Sequence, residues 1–157
     1  MGEIIIAYLA TPFGFYEHGR DLILPRLVSD IKGTGIDEVI EPFAESPYGT
    51  SAPIVIKNNR EGREKSDLIV GILDGDGPNA DEGVAIEVVE FCKLGKPAYA
   101  LSTDYRRDKS EENRGINHEL YYPTIENAEQ LGVGGVFESW DELLTALFHY
   151  VTKEKGS

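Results

Sequence analysis

With 157 residues and a formal net charge of −13, the chain is sized for one hydrophobic core and carries the wrong sign of charge for gripping a nucleic-acid backbone. Its densest basic spot is only Arg106, Arg107 and Lys109. The apolar share of 41% and charged share of 27% are those of an ordinary globule and exclude extensive disorder, and no apolar run approaches the roughly 20 residues of a membrane-spanning helix.

In chain order, the near-continuous apolar run over residues 3–9 predicts a first strand buried on both faces. A helix is expected over residues 16–31, where Leu22, Ile23, Leu27 and Ile31 share a face and Gly33 and Gly35 provide the stop. Strand two spans residues 38–43, and the Pro-, Gly-, Ser- and Thr-rich stretch 46–53 reads as a loop. Residues 54–65 are polar and helical in length, and strand three follows at 67–73. The acidic turn 74–81 leads into a helix over 82–94, which Gly95 ends and Pro97 keeps from resuming. Strand four is residues 98–101. The stretch 102–132 is too long for an idle connection and reads as a functional loop. Strand five is residues 135–137, and the last helix opens on a Ser139-Trp140-Asp141-Glu142 capping box and buries Leu143, Leu144, Leu147 and Val151. Strands alternating with helices predict one three-layer α/β domain over residues 1–157, flavodoxin-like or Rossmann-like, with a five-stranded parallel sheet flanked by helices.

A single cysteine, Cys92, excludes an internal disulfide and reads as a packed thiol. The scattered His18, His118 and His149 offer no metal-ligand spacing. No secretory leader opens the sequence, so a cytoplasmic protein without nucleic-acid or membrane partners, metal or cofactor is expected.

Open parallel sheets bind ligands at the carboxyl ends of their strands, which directs attention to residues 8–15, 74–81 and 102 onward. A dinucleotide fingerprint fails there: strand one runs into Ala10-Thr11-Pro12-Phe13-Gly14-Phe15, and Gly75-Asp76-Gly77 lacks the third glycine. A phosphorylated receiver domain fails on order, because Lys96-Pro97 precedes strand four and no acidic pair follows strand one. The most informative segment is Asp81-Glu82-Gly83-Val84-Ala85-Ile86-Glu87. Asp81 can cap the helix, and Glu87 lies about one and a half turns inside, where the positive end of the dipole favours an ionised, nucleophilic carboxylate. Spacing alone equally allows Glu87 and Glu90 to line a solvent face.

Tyr8-Leu9-Ala10-Thr11-Pro12-Phe13 with Glu17 shortly after, Ser66-Asp67 through Asp74-Gly75, Asp81-x-Gly83-x-Ala85-x-Glu87, Gly95-Lys96-Pro97 and Thr103-Asp104-Tyr105-Arg106 together resemble, in order and spacing, the nucleoside 2-deoxyribosyltransferase family. The resemblance implies transfer of 2-deoxyribose between nucleobases through a covalent deoxyribosyl-Glu87 with retained configuration, the logic of retaining glycosidases. It implies a deoxynucleoside and a free nucleobase as substrates and no cofactor. Carried over by position, Tyr8 is the phenol that orients the nucleophile, and Asp81 grips sugar hydroxyls. Asn59, eight residues before Asp67, stands where some members carry an acid that protonates or holds the base. Asn117 matches an asparagine lent to a neighbouring subunit's site, with Asn113 and Asn127 as competitors, so a homodimer or larger homo-oligomer is implied. Phe13, Phe15 and Tyr48 offer flat surfaces for a base, although core packing is the commoner fate of any one ring. Asp74 completes the substrate contacts, with a solvated Asp74-Gly75-Asp76 turn as its plain alternative.

Val84, Val89 and Thr11 depart from the family's threonine, glycine and glycine, which alters packing around the pocket. Two other functions fit the same residues. One is hydrolysis of deoxynucleoside 5′-monophosphates with the same nucleophile, disfavoured because Phe13 and Phe15 stand where serine, glycine and arginine groups would hold phosphate. The other is a non-catalytic nucleotide-binding or sensor module.

Overall fold

β1 (Ile6–Ala10) sets the layering of the molecule, whose computed structural model describes residues 2–75 and 77–156. Successive side chains of a strand point to opposite faces, so Ala7 and Leu9 join one apolar cluster while Tyr8 and Ala10 join another. The chain continues through α1 (Leu24–Gly33), β2 (Glu38–Ile40), α2 (Pro42–Glu45), α3 (Ala52–Lys65), β3 (Leu68–Ile72), α4 (Glu82–Lys93), β4 (Ala98–Leu101), α5 (His118–Leu131), β5 (Gly135–Phe137) and α6 (Trp140–Glu154). The strand pairings are all parallel, in the order β2-β1-β3-β4-β5, which is the expected three-layer α/β architecture. α1 and α6 cover the Ala7 and Leu9 face through Leu24, Ile31, Leu143, Leu147 and Val151. α4 and α5 cover the Tyr8 face through Val84, Val88, Phe91 and Leu120. From β1 the chain moves out to β2 and then crosses back to β3 on the other side of β1. The carboxyl ends of β1 and β3 therefore flank the switch point at which sheets of this order receive ligands. Among the described residues no helix is long and apolar enough to cross a membrane.

Four segments differ from expectation, each for a local reason. The helix expected over 16–31 is regular only as α1; before it come a 3-10 turn, Phe13–Phe15, and a wider π turn, Gly19–Ile23, in which Leu24 N donates to Gly19 O. Pro25 has no N–H to give to an α-turn, and the wider turn absorbs that loss. Gly19 is needed there, because a Cβ would lie 1.9 Å from the Phe13 carbonyl oxygen. β2 stops at Ile40 because Glu41 turns to cap α2, accepting from Phe43 N and Ala44 N at 2.8 and 2.9 Å. α3 starts at Ala52, inside the stretch read as a loop. The supposed long loop after β4 is half helix: Asn117 caps α5, whose internal Pro123 hid the helical pattern. The Ser139 half of the α6 capping box forms, with Ser139 Oγ accepting from Glu142 N at 3.4 Å, though Leu144 is only partly buried.

α3 meets the sheet through Gly62. An alanine there would bring a methyl to 3.1 Å from Ile40 Cγ2 and 3.2 Å from Tyr8 Cε2. Tyr8 is wholly buried and has no room to yield. Helix propensity gains about 0.5–1 kcal/mol from the change, but overpacking costs about 1–3 kcal/mol. Gly62→Ala is therefore expected to lose about 1 kcal/mol in thermal or urea unfolding; a more stable variant would show that the tyrosine ring has slack.

Candidate active site

α4 begins with Asp81, whose Oδ1 accepts from Val84 N at 3.0 Å. Val84, Val88 and Phe91 then form the stripe that packs on the sheet, and this fixes which way the rest of the helix faces. Glu87, at the border of that stripe, is turned toward α3, with its side chain only 18% exposed. Arg63 meets it there: Nη1 donates to Glu87 Oε2 at 3.2 Å, and Nε lies 2.9 Å from Oε2 of Glu90, one turn further along α4. The end of α3 that carries Arg63 is fixed in turn by Lys96 Nζ, which donates to the carbonyls of Arg63, Glu64 and Ser66 at 3.4, 3.2 and 2.7 Å. Tyr8 packs its ring between Gly62 and Phe91, the latter with centroids 6.0 Å apart. Its Oη is buried with no hydrogen-bond partner of ordinary geometry among the described residues, although Glu87 and Arg63 lie close enough to act on its ionisation.

The three groups perturb one another. Burial, and then the charge of Glu87, push the Tyr8 phenol far above its ordinary range, so it stays a neutral hydroxyl. Burial also raises the Glu87 carboxyl, against the opposing pull of Tyr8 and Arg63. Burial alone would lower the Arg63 guanidinium, but the charges of Glu90 and Glu87 outweigh it and the net shift is upward. A Glu87 that works as an anion would lose its activity as pH falls through its raised pKa. Arg63→Met removes a cation that favours the anion, and the acid limb of the rate profile is expected to move up by about 1–3 pH units. A limb that stays in place would show that Arg63 does not govern the charge of Glu87.

The other residues singled out from the sequence divide into two groups. Asp81 heads the helix that carries Glu87, six residues before it, and Asn59 lies one turn before Arg63 on α3; Asn59 Oδ1 is buried and without a partner among the described residues. The rest are engaged elsewhere. Asp74 accepts from Thr103 N and Oγ1, Asp104 N and Arg107 Nη1, so its carboxylate pins the loop after β4. Phe13 packs against the core on the α1 and α6 side. Phe15 is 78% exposed, with its edge-to-face contact on Phe43, and Tyr48 is fully exposed. Of the asparagines, Asn113 and Asn127 are buried and donate to the Ile116 and Lys96 carbonyls, whereas Asn117 is exposed at the head of α5 and accepts from Glu119 N. Asp76 lies outside the described residues.

Two arginines escaped the sequence reading. Arg63 sits among Arg60, Glu61, Glu64 and Lys65, and only its helical spacing from Asn59 hints that it faces inward. Arg107, with a side chain 1% exposed, donates to Asp74, Ser102 Oγ and the Pro78 and Leu73 carbonyls. A groove of about 1020 Å³ between α4 and α5 includes Asn117 and Glu90 in its lining but neither Glu87 nor Tyr8. A desolvated carboxylate with a cation and a phenol beside it makes the Glu87 cluster, not the groove, the candidate site. Among the described residues no cluster of His, Cys, Asp or Glu could hold a metal ion.

The fold is similar to those of a 2-desoxiribosyltransferase from Leishmania mexicana, 19% identical over 93% of this chain and 98% of that one with a TM-score of 0.73, and a conserved protein from Enterococcus faecalis V583, 23% identical over 94% and 99% with a TM-score of 0.66. It is also similar to the CMP N-glycosidase BcmB of Clostridium botulinum, 17% identical over 92% and 98% with a TM-score of 0.51. No curated protein sequence matches. Residues 7–121, which run from β1 to the first turn of α5 and include Tyr8, Arg63, Asp81 and Glu87, match the family described as Nucleoside 2-deoxyribosyltransferase. The chain thus belongs to the nucleoside 2-deoxyribosyltransferase family and is an enzyme acting on the N-glycosidic bond of nucleosides.

Proposed function

We propose that this enzyme transfers 2-deoxyribose from one nucleobase to another through a covalent ester at Glu87. The observation that carries this reading is the Glu87 carboxylate itself, turned in between Arg63 and the Tyr8 phenol. In the first step a Glu87 oxygen attacks the anomeric carbon, and the bond to the departing base breaks with its electron pair going to the base, which takes up a proton from water. In the second, a nitrogen of the acceptor base attacks the vacated face, the ester C–O bond breaks, and Glu87 regains its charge while the acceptor loses a proton. Two inversions give net retention. Asp81 Oδ1 is spent on the helix cap, leaving Oδ2 for a sugar hydroxyl. Asn59 holds the base through its amide and supplies no proton. Phe15, being exposed, suits a stacking role better than the core-packed Phe13. Asn117 is the asparagine free to reach a second subunit, which makes the working form a homo-oligomer.

Incubation with deoxyinosine and adenine, followed by chromatography, tests the proposal. Deoxyadenosine and hypoxanthine are the expected products. Release of base from a deoxynucleoside 5′-monophosphate without any transfer would replace the transferase by an N-glycosidase, and silence in every mixture would leave a binding module.

A further inference from the structure

Arg63 is gripped at both ends. Lys96 ties down its backbone by donating to the last carbonyls of α3, and the Lys96 carbonyl in turn accepts from Asn127 Nδ2 at 2.9 Å. At the guanidinium end the shorter contact is to Glu90, 2.9 Å against 3.2 Å for Glu87. Glu87 and Glu90 are three residues apart on α4 and so share a face. The guanidinium is a rigid planar fork; fixing Nε at Glu90 sets the direction in which Nη1 points.

We propose that Glu90 is a positioning residue whose carboxylate, by anchoring Arg63 Nε, keeps Nη1 aimed at Glu87 throughout the double displacement. This rests on Glu87 being the nucleophile. When Glu87 forms its C–O bond to the sugar, the ester is neutral and attracts a guanidinium only weakly. Without a second anion, Arg63 would have no charged partner at that stage. When the ester C–O bond breaks, the electron pair returns to Glu87 and a full charge reappears in a site that is largely shielded from water. Glu90 keeps the cation in place for that moment. The groups that act on Glu87 are Tyr8 from β1, Arg63 from α3 and Glu90 on its own helix, so a change at Glu90 has a charge signature of its own.

The experiment compares Glu90→Gln, Glu90→Asp and Arg63→Met by carbon NMR titration of labelled glutamate carboxyls, with steady-state transfer measured alongside. In Glu90→Gln the anchor is gone and Arg63 no longer holds its charge on Glu87, so the Glu87 midpoint is expected to rise toward that of Arg63→Met, whereas loss of a negative neighbour without anchoring would lower it by about 0.5–1 pH unit. Loss of the anchor is expected to lower kcat about tenfold with KM within about twofold, and Glu90→Asp is expected to recover part of kcat. Glu90 is 44% exposed on its side chain, so the fold tolerates these changes. A folded Glu90→Gln protein whose Glu87 midpoint stays in place or falls, or whose kcat is unchanged, overturns the proposal. Full activity in Glu87→Ala would instead remove the nucleophile reading while leaving the titration result intact, so the two failures are told apart.

Discussion

Glu87→Ala is expected to lower turnover of deoxyinosine with adenine by a factor of about 10⁴ or more, the scale seen when an enzyme loses its nucleophile. No nearby group can substitute. Glu90 is one turn away with its carboxylate on Arg63, Tyr8 is held as a neutral phenol by burial, and Asp81 lies six residues back at the head of the helix with Oδ1 on the cap. The fold itself should survive: Arg63 keeps Glu90, and the removed carboxylate is one whose charge burial already disfavours. The melting temperature is expected to stay within about 4 °C of the parent, which for a chain of this size corresponds to roughly 1 kcal/mol. Intact-mass measurement of the acid-quenched parent with deoxyinosine should show a sugar adduct that Glu87→Ala lacks. Substantial turnover in the variant, or an adduct on another residue, would move the nucleophile elsewhere.

The second large effect is structural. Arg107→Met is expected to cost about 3–5 kcal/mol, as when one partner of a buried ion pair is removed, and to lower the melting temperature by roughly 10 °C. The side chain is almost wholly enclosed, and its loss leaves the Leu73 and Pro78 carbonyls and Ser102 Oγ short of a donor. Asp74 retains Thr103 and Asp104 as donors, which places the effect toward the lower end of that range. Urea unfolding monitored by circular dichroism decides the matter; a loss below about 1 kcal/mol would mean that the loops after β3 and β4 do not depend on one another.

The parts of the molecule that could be read from the sequence are those in which local rules and packing agree. β4 and β5 fall at the expected residues because Pro97 and the Gly132-Val133-Gly134 turn bracket them. The Asp81 cap follows from spacing, whereas spacing alone left Glu87 open to a solvent-face reading, and the Asp81-x-Gly83-x-Ala85-x-Glu87 motif singled it out. What could not be read depends on residues distant in sequence. Arg63 is one of several charges on a polar helix until α4 is laid beside it, 24 positions on. The anchoring role of Asp74 could not be read either, because its partners lie 29 to 33 positions away. Phe13 and Phe15 are two residues apart and have opposite fates, a difference decided by the 3-10 turn between them. The π turn was hidden because helical periodicity counts side chains and takes no account of the N–H that Pro25 lacks.

The Asp74–Arg107 clamp also says where a visitor must come and go. It bolts the rim after β3 to the rim after β4, whereas across the mouth Phe15 leans edge-on against Phe43 and Tyr48 stands clear in solvent. Traffic is therefore expected on the β1 and β2 side. Backbone amides of residues 13–16 and 46–51 should exchange with deuterated water well ahead of those at 102–108, and a bound nucleoside should slow the former set most.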